Sequence, residues 1–255
     1  MDVSGHIARR RSDGVSDSSI NRELEVLSAA INNARNKLEW GLPNPVQGRM
    51  LKEPEARVRW ITREEAGRLL DAARVSRSPY MADLLTLALN TGMRREEMLG
   101  LEWRRVDLQA GLIHLEGRHT KSGKRRSVPI NKAARAAMLS RARFRAEHCP
   151  ASPWVFCRQH GGRIEDARKG FLAACAKAGI EDFRFHDLRH TCAAWLVSVG
   201  VPLSEVRDLL GHCSVVMTER YAHLAPERVR SAVAMLDEVI EESRFSHARQ
   251  EVATG

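Results

Sequence analysis

The sequence has little of what would mark a disulfide scaffold, a membrane protein or a nucleotide-driven machine. Its five cysteines (Cys149, Cys157, Cys175, Cys192 and Cys213) form no CxxC pair, and their number is odd. That argues against a disulfide framework and for reduced thiols in a cytoplasmic compartment. No apolar run approaches the ~18 residues that a membrane span requires. The start, MDVSGHIARRRSDG, has no apolar core of a secretory signal. No glycine-rich phosphate loop is present, so nothing points to ATP chemistry. Aromatic residues are 5% of the chain, and only two are tyrosines, Tyr80 and Tyr221.

What the chain has in excess is positive charge. Its formal net charge is +9, with a pI near 9.8, and that balance suggests a polyanionic partner. The excess is local. Between Arg94 and Arg145 there are 14 Lys and Arg against 5 Asp and Glu, whereas the rest of the chain carries 27 of each sign. With 43% hydrophobic residues among 255, the chain can also bury a substantial core.

Residues 1–18 are polar and rich in Gly, Ser and Asp, which predicts a mobile start. From Ser19, the residues Ile20, Leu24, Leu27, Ile31, Ala34 and Leu38 recur at helical spacing up to Gly41. A loop, LPNPVQG, and an extended linker, KEPEARVRW, follow; one helix in residues 1–55 is too little for an independent core. Thr62 and Glu65 form a capping-box pattern at the head of the next helix. Helices are expected to about Arg74, over 79–90, in a short segment ending at Gly100, and over 131–147, 165–178, 187–199, 203–210, 215–223 and 226–242. Between them GLIHLEGRHTKSGKRRSVPI reads as a small antiparallel sheet with Lys121 at a turn, and WVFC as a short strand. The fold class is mainly α with a small antiparallel β-sheet, α+β.

The stretch FHDLRHTC places His186 and His190 four apart, on one helical face, with Arg189 between them. The spacing is that of zinc proteases, but their motif needs a glutamate directly after the first histidine, and Asp187 stands there. An arginine beside the second histidine would repel a dication, and no third ligand is evident. We therefore expect no metal, and read His190 as a packing or supporting residue. Four further patterns accompany it: TGMRREE, HTKSGKRRSVPI, LLGHCS and TERYAHL. Taken singly each has an ordinary structural reading, such as a capping glycine in LLGH or a half-buried tyrosine in TERYAHL.

In this order and at these intervals they resemble the tyrosine recombinases, the phage-integrase family, from about Trp60 to Leu236. The resemblance implies a tyrosine-recombinase-like catalytic domain over 56–255. Arg94 matches the first catalytic arginine and Glu97 the acid that supports it. Lys121 matches the catalytic lysine of the sheet turn. His186 and Arg189 match the His-x-x-Arg pair, His212 the second histidine, and Tyr221 the nucleophile. The implied activity is site-specific cleavage and rejoining of double-stranded DNA through a covalent 3′-phosphotyrosine, without metal, ATP or other cofactor. The implied assembly is a homotetramer on synapsed sites and a monomer or dimer otherwise, in the cytoplasm and on the nucleoid.

The chemistry supports the same set without the family. A phosphodiester under attack accumulates charge on its non-bridging oxygens, which two guanidiniums can clamp while staying charged. A lysine suits protonation of a departing 5′ oxygen. A tyrosine hydroxyl ionises near pH 10, and a cluster of cations should lower that value. His186 is the candidate to take the phenolic proton. Lys124, Arg125 and Arg126 are expected to position DNA by its phosphates.

Against the family pattern, SSINRELEVLSAAINNARNKLEWGLPNP looks like only the end of an N-terminal core-binding domain, a remnant followed by a linker. The helix expected at 226–242, with Val229, Val233, Leu236 and Ile240 on one face, needs a partner in its own domain or on a neighbouring protomer. A DNA-binding regulator without catalysis is the principal alternative, since VSVGVPLSEVRDLLGHCSVVMTERY has the look of a helix–turn–helix. It leaves Arg94, Lys121 and Tyr221 unexplained. A type IB topoisomerase-like relaxing enzyme shares the chemistry but not the synaptic tetramer.

Overall fold

The computed structural model describes residues 2–41, 43–53, 57–117, 123 and 125–225. They fall into two compact units, Met1–Arg57 and Val58–Gly255.

The first unit has two helices, α1 (Val3–Ser12) and α2 (Asp17–Leu38). The first occupies the stretch expected to be mobile. Its stability comes from polar interactions that no apolar period reveals. The Asp2 carboxylate accepts the Ser4 and Gly5 N–H groups, which caps the helix start. Arg10 Nη2 donates to Glu23 on α2 at 2.7 Å. Between the helices Val3, Ile20, Leu24 and Val46 form a small apolar cluster.

The second unit carries the large core. It begins with α3 (Arg63–Arg74), where Thr62 and Glu65 form the expected capping box. Next is α4 (Met81–Thr91), which buries Met81, Leu84, Leu85, Leu87, Ala88 and Leu89. A helix with this many buried apolar residues belongs at the centre of a domain. Packed against it are α3, α6 (Lys132–His148) and α8 (Asp187–Ser198), while α7 (Arg168–Ala178) lies on α3.

A short α5 (Arg95–Leu99) leads into a three-stranded antiparallel sheet, β1 (Val106–Asp107), β2 (Leu112–Leu115) and β3 (Arg126–Pro129), in that order. Ile113 pairs with Val128 and Leu115 with Arg126. The alternation on β3 turns Val128 into the core and Arg126 to the same side, with Ser127 and Pro129 exposed. The expected strand WVFC is absent among the described residues. Only isolated bridges form there, Glu102 with Trp154 and Cys157 with Arg163, because Pro153 has no N–H for a ladder.

The described residues close with α9 (Leu203–Leu210), the one-turn α10 (Val216–Glu219) and a 3₁₀ turn, Ala222–Leu224. A second apolar cluster joins α8 and α9 to the tyrosine that follows α10: Ala193, Ala194, Val197, Val206, Leu210 and Tyr221. The expected helix at 226–242 lies outside the described residues, as do Lys121 and Lys124. Among the described residues no helix is long and apolar enough to cross a membrane. All five cysteines are free, with Cys149 and Cys157 sulfurs in contact at 3.2 Å.

Gly92 ends α4 at φ +60°, a conformation in which a side chain is strained. Its neighbours leave no room either. A Cβ there would collide with Leu210 and press on Cys192 Sγ at 3.3 Å. Gly92→Ala should therefore lower stability by about 1–3 kcal/mol, read as a reduced urea midpoint at unchanged slope.

Candidate active site

The site is built on a buried carboxylate. Arg94 is the last residue before α5, in extended conformation, and Glu97 lies on the first turn. From there one Glu97 oxygen accepts the Arg94 N–H at 2.9 Å and so caps the helix, and the other accepts Arg94 Nη1 at 3.0 Å. From β3, Arg126 donates Nη1 and Nη2 to the two oxygens at 3.0 and 2.6 Å. Its Nε goes to the Leu209 carbonyl at 3.2 Å, and Arg94 Nη2 goes to the Gly211 carbonyl at 3.2 Å. Burial pushes the Glu97 pKa up, but the guanidiniums of Arg126 and Arg94 outweigh it and hold it below the ordinary 4.5. One carboxylate thus ties α5, β3 and the end of α9 together.

Arg126, expected to position DNA by its phosphates, has its guanidinium engaged by Glu97 and a backbone carbonyl, and so helps to hold the site together. The signal was in the sequence: on a strand, residues two apart share a face, and Val128 is a core residue. Arg125 is exposed, and lines a cavity of about 430 Å³ with Arg126, Gly211 and His212.

A neighbouring cavity of about 360 Å³ is lined by Arg94, Glu97, His186 and Arg189, with Met93 and Phe185. Arg189, on the first turn of α8, is 3% exposed. Its Nη1 donates to the Gly92 carbonyl at 2.8 Å, but its Nη2 is buried without a hydrogen-bond partner among the described residues. Burial first, and then the neighbouring Arg94 and Arg126, lower its pKa to about 9. A buried, unpartnered guanidinium nitrogen beside a second arginine calls for an anion.

His186 precedes α8 and keeps an exposed edge. The atoms packed around its ring, then Arg189 and Arg94, hold its pKa below 6.5. Asp187 Oδ2 accepts the Arg184 N–H at 2.8 Å, closing the turn that leads into the helix. Among the described residues no three His, Cys, Asp or Glu side chains converge as metal ligands.

His212 follows Gly211, which ends α9 at φ +66° and packs against the Arg126 guanidinium at 3.0 Å from where a Cβ would stand. His212 Nδ1 is hydrogen-bonded to Thr218 Oγ1 at 2.8 Å, which leaves Nε2 for the cavity. Burial, then Arg189 and Arg94, bring its pKa down to about 3, so it is neutral at any working pH. Tyr221 is 1% exposed. The expected lowering of its pKa is reversed, because burial outweighs Arg220 and Arg189 and raises it to about 12. Its hydroxyl is hydrogen-bonded to His190 Nδ1. That contact was missed from sequence, since i,i+4 spacing sets the helix face of His190 but not what packs on it.

Arg94, Glu97, His186, Arg189, His212 and Tyr221 are therefore adjacent, whereas Lys121 and Lys124 lie outside the described residues. Glu97→Gln would leave Arg94 and Arg126 without their counter-charge at about 3–5 kcal/mol of stability. The pH sign follows from the lowered pKa. The stabilisation is complete above the unfolded value of 4.5 and is lost as pH falls below it through the folded value. Stability curves of parent and Glu97→Gln should differ most near neutrality and converge in acid, as followed by denaturant unfolding from pH 7 to 3.

The model of the phage integrase family matches residues 59–228. The integrase of Salmonella phage P22 is 32% identical over 213 residues, 78% of this chain and 52% of that protein. A shufflon-specific DNA recombinase of Escherichia coli is 32% identical over 233 residues, 88% of this chain and 54% of that protein. The chain thus spans about half the length of these relatives. Among solved structures, the catalytic domain of bacteriophage HP1 integrase superposes with a TM-score of 0.55 at 28% identity, covering 70% of this chain and 95% of that one. The Tn1549 transposon integrase, in complex with transposon right end DNA, shares the fold with a TM-score of 0.73 at 19% identity, covering 94% and 84%. The family match takes in every residue of both cavities, and the chain belongs to the phage integrase family.

Proposed function

We propose that this chain cleaves and rejoins double-stranded DNA site-specifically, with Tyr221 as the nucleophile and a 3′-phosphotyrosine as the intermediate. The observation that carries the reading is the orphaned Nη2 of buried Arg189, in one cavity with Arg94 and His186. A scissile phosphate supplies the acceptor that this donor lacks among the described residues. Its non-bridging oxygens take the two guanidiniums, whose mutual repulsion it relieves, and they gain charge as phosphorus becomes pentacoordinate. Tyr221 Oη forms the new bond to phosphorus, and the bond to the 5′ oxygen breaks. Lys121 supplies the proton to that oxygen, and the phenolic proton passes to a neighbouring imidazole. Neutral His212 donates from Nε2 to a phosphate oxygen. The phosphotyrosine retains the energy of the broken bond, so rejoining requires no ATP and the chemistry no cofactor.

The names of the relatives, an integrase and a DNA recombinase, support this reading. So does a fold shared with an integrase solved on transposon DNA. The basic segment containing Lys124 and Arg125 positions the duplex by its phosphates, and the chain works as a homotetramer on synapsed sites, in the cytoplasm at the nucleoid.

The test is a nicked duplex selected from a random pool by its retention on the protein. The parent should be trapped covalently on it. Tyr221→Phe removes one buried hydroxyl at a cost of about 1 kcal/mol and should bind the duplex equally while forming no adduct. Tyr80→Phe should be trapped like the parent. An adduct on the Tyr221 variant would sink the assignment.

Lys121→Ala should slow cleavage by on the order of 10²–10⁴ on the ordinary duplex. On a duplex with sulfur at the leaving 5′ position it should cleave almost as fast as the parent, since a thiolate leaves unprotonated. Equal losses on both would reduce Lys121 to a positioning role.

A further inference from the structure

In the structure the Tyr221 hydroxyl faces one specific imidazole. Tyr221 Oη is hydrogen-bonded to Nδ1 of His190, and no other hydrogen bond to that hydroxyl is found among the described residues. His186 stands at a different post, on the wall of the cavity that holds Arg94 and Arg189. The two imidazoles are one helical turn apart and meet edge to face, with ring centres at 4.9 Å and planes at 88°. That spacing separates their work: the first ring serves the phosphate and the second serves the nucleophile.

We propose that His190, through Nδ1, is the base that takes the proton of Tyr221 as Oη attacks the scissile phosphate. This rests on the strand-cleavage reading above. The atoms balance simply. The Oη–H bond breaks as the Oη–P bond forms, the proton goes to Nδ1, and Nε2 carries the other ring proton in both states. The imidazole becomes imidazolium while the 5′ oxygen leaves with a proton from Lys121. On rejoining the same proton returns from Nδ1 to the departing phenolate.

The need for such a base follows from where the tyrosine sits. Packed among Ala193, Ala194, Val197, Val206 and Leu210, the hydroxyl is held to a pKa of about 12. At neutral pH only on the order of one molecule in 10⁵ would carry a free phenolate. The cations that could have stabilised it, Arg220 and Arg189, do not overcome burial. Attack therefore depends on transferring the proton during bond formation, to a base already in contact.

The surroundings also tell when transfer becomes possible. Asp187, Arg189 and Arg220 interact with Tyr221, His186 packs on the His190 ring, and the His212 ring feels His190 together with Arg94. A phosphodiester anion between Arg94 and Arg189 would offset the positive charge that the transferred proton adds beside them. The nucleophile stays protonated in the free chain and is activated by its own substrate.

The experiment uses the full chain and the selected nicked duplex, with covalent trapping followed in time and across pH. His190→Asn places an amide oxygen near the position of Nδ1, so it keeps a hydrogen-bond acceptor for Tyr221 but cannot take its proton. If His190 is the base, this variant should bind the duplex normally and lose on the order of 10²–10⁴ in trapping rate. The parent should lose rate as pH falls and the imidazole protonates, and the variant should lack that limb. A fluorinated tyrosine at position 221, more acidic than tyrosine, should restore much of the rate of the variant.

His190→Gln and His190→Ala, the latter with added free imidazole, repeat the test should Asn prevent folding. Rescue of the Ala variant by imidazole supports the proposal. Parent-like trapping by the Asn variant, or failure of both rescues, overturns it. A parent that is trapped while the Asn variant is undiminished rejects only the role of His190. A parent that is never trapped rejects the strand-cleavage reading, and the role of His190 with it.

Discussion

The Glu97 carboxylate, shared by Arg94 and Arg126, is the constraint on which the site depends. Clustering several cations in a cavity costs electrostatic energy, and a domain that keeps them there needs a counter-charge that does not occupy the substrate's place. Glu97 supplies it from behind, on a helix turn whose start it also caps. Because Arg126 comes from the sheet and Arg94 also reaches the Gly211 carbonyl, the same interaction fixes where three segments of the chain meet. A carboxylate in that position must be buried, since water would screen it, and must be ionised, which the two guanidiniums ensure.

What remains on the cavity side is an excess of donors. Arg189 is charged but held near a pKa of 9 by burial and by its neighbours, His212 is neutral, and one nitrogen of Arg189 has no acceptor among the described residues. An anion in the cavity would relieve the burial of the Arg189 charge and give its unpartnered nitrogen an acceptor. The proposed nucleophile shows the opposite arrangement. Tyr221 is stabilised in its unreactive, protonated form by apolar burial and by the His190 hydrogen bond. A site that strains its anion-binding groups and rests its tyrosine is set up to react only when an anion occupies it, as the proposed strand cleavage would require.

Local sequence determined more of this protein than its low aromatic content suggests. Thr62 with Glu65 marks a helix start by capping chemistry, and the dense apolar residues from Met81 to Leu89, broken only by Asp83 and Thr86, mark a buried one; both depend only on neighbours in the chain. The patterns around Arg94, His186, Arg189, His212 and Tyr221 were legible because each is a short local geometry, such as a glycine-ended helix followed by a polar residue. The helix Val3–Ser12 was not legible, since an aspartate cap and the Arg10–Glu23 pair leave no apolar period. The absence of a strand at Trp154, by contrast, follows from Pro153, a local signal that the apolar look of WVFC obscured.

Tertiary structure alone decided how the functional side chains divide their tasks. Arg125 and Arg126 are adjacent basic residues of one run, and only the sheet, by turning alternate residues inward, sends one to Glu97 and leaves the other exposed. His186 and His190 share a helix face, and only the packing of Tyr221 against α8 gives the second a hydroxyl to hold. The sign of the Tyr221 pKa shift was likewise beyond the sequence. Counting nearby cations predicts a lowering, but the cost of burying a charge depends on which apolar residues surround it. Sequence specifies which groups are present and how the chain bends locally, whereas desolvation and partner choice belong to contacts between residues far apart in the chain.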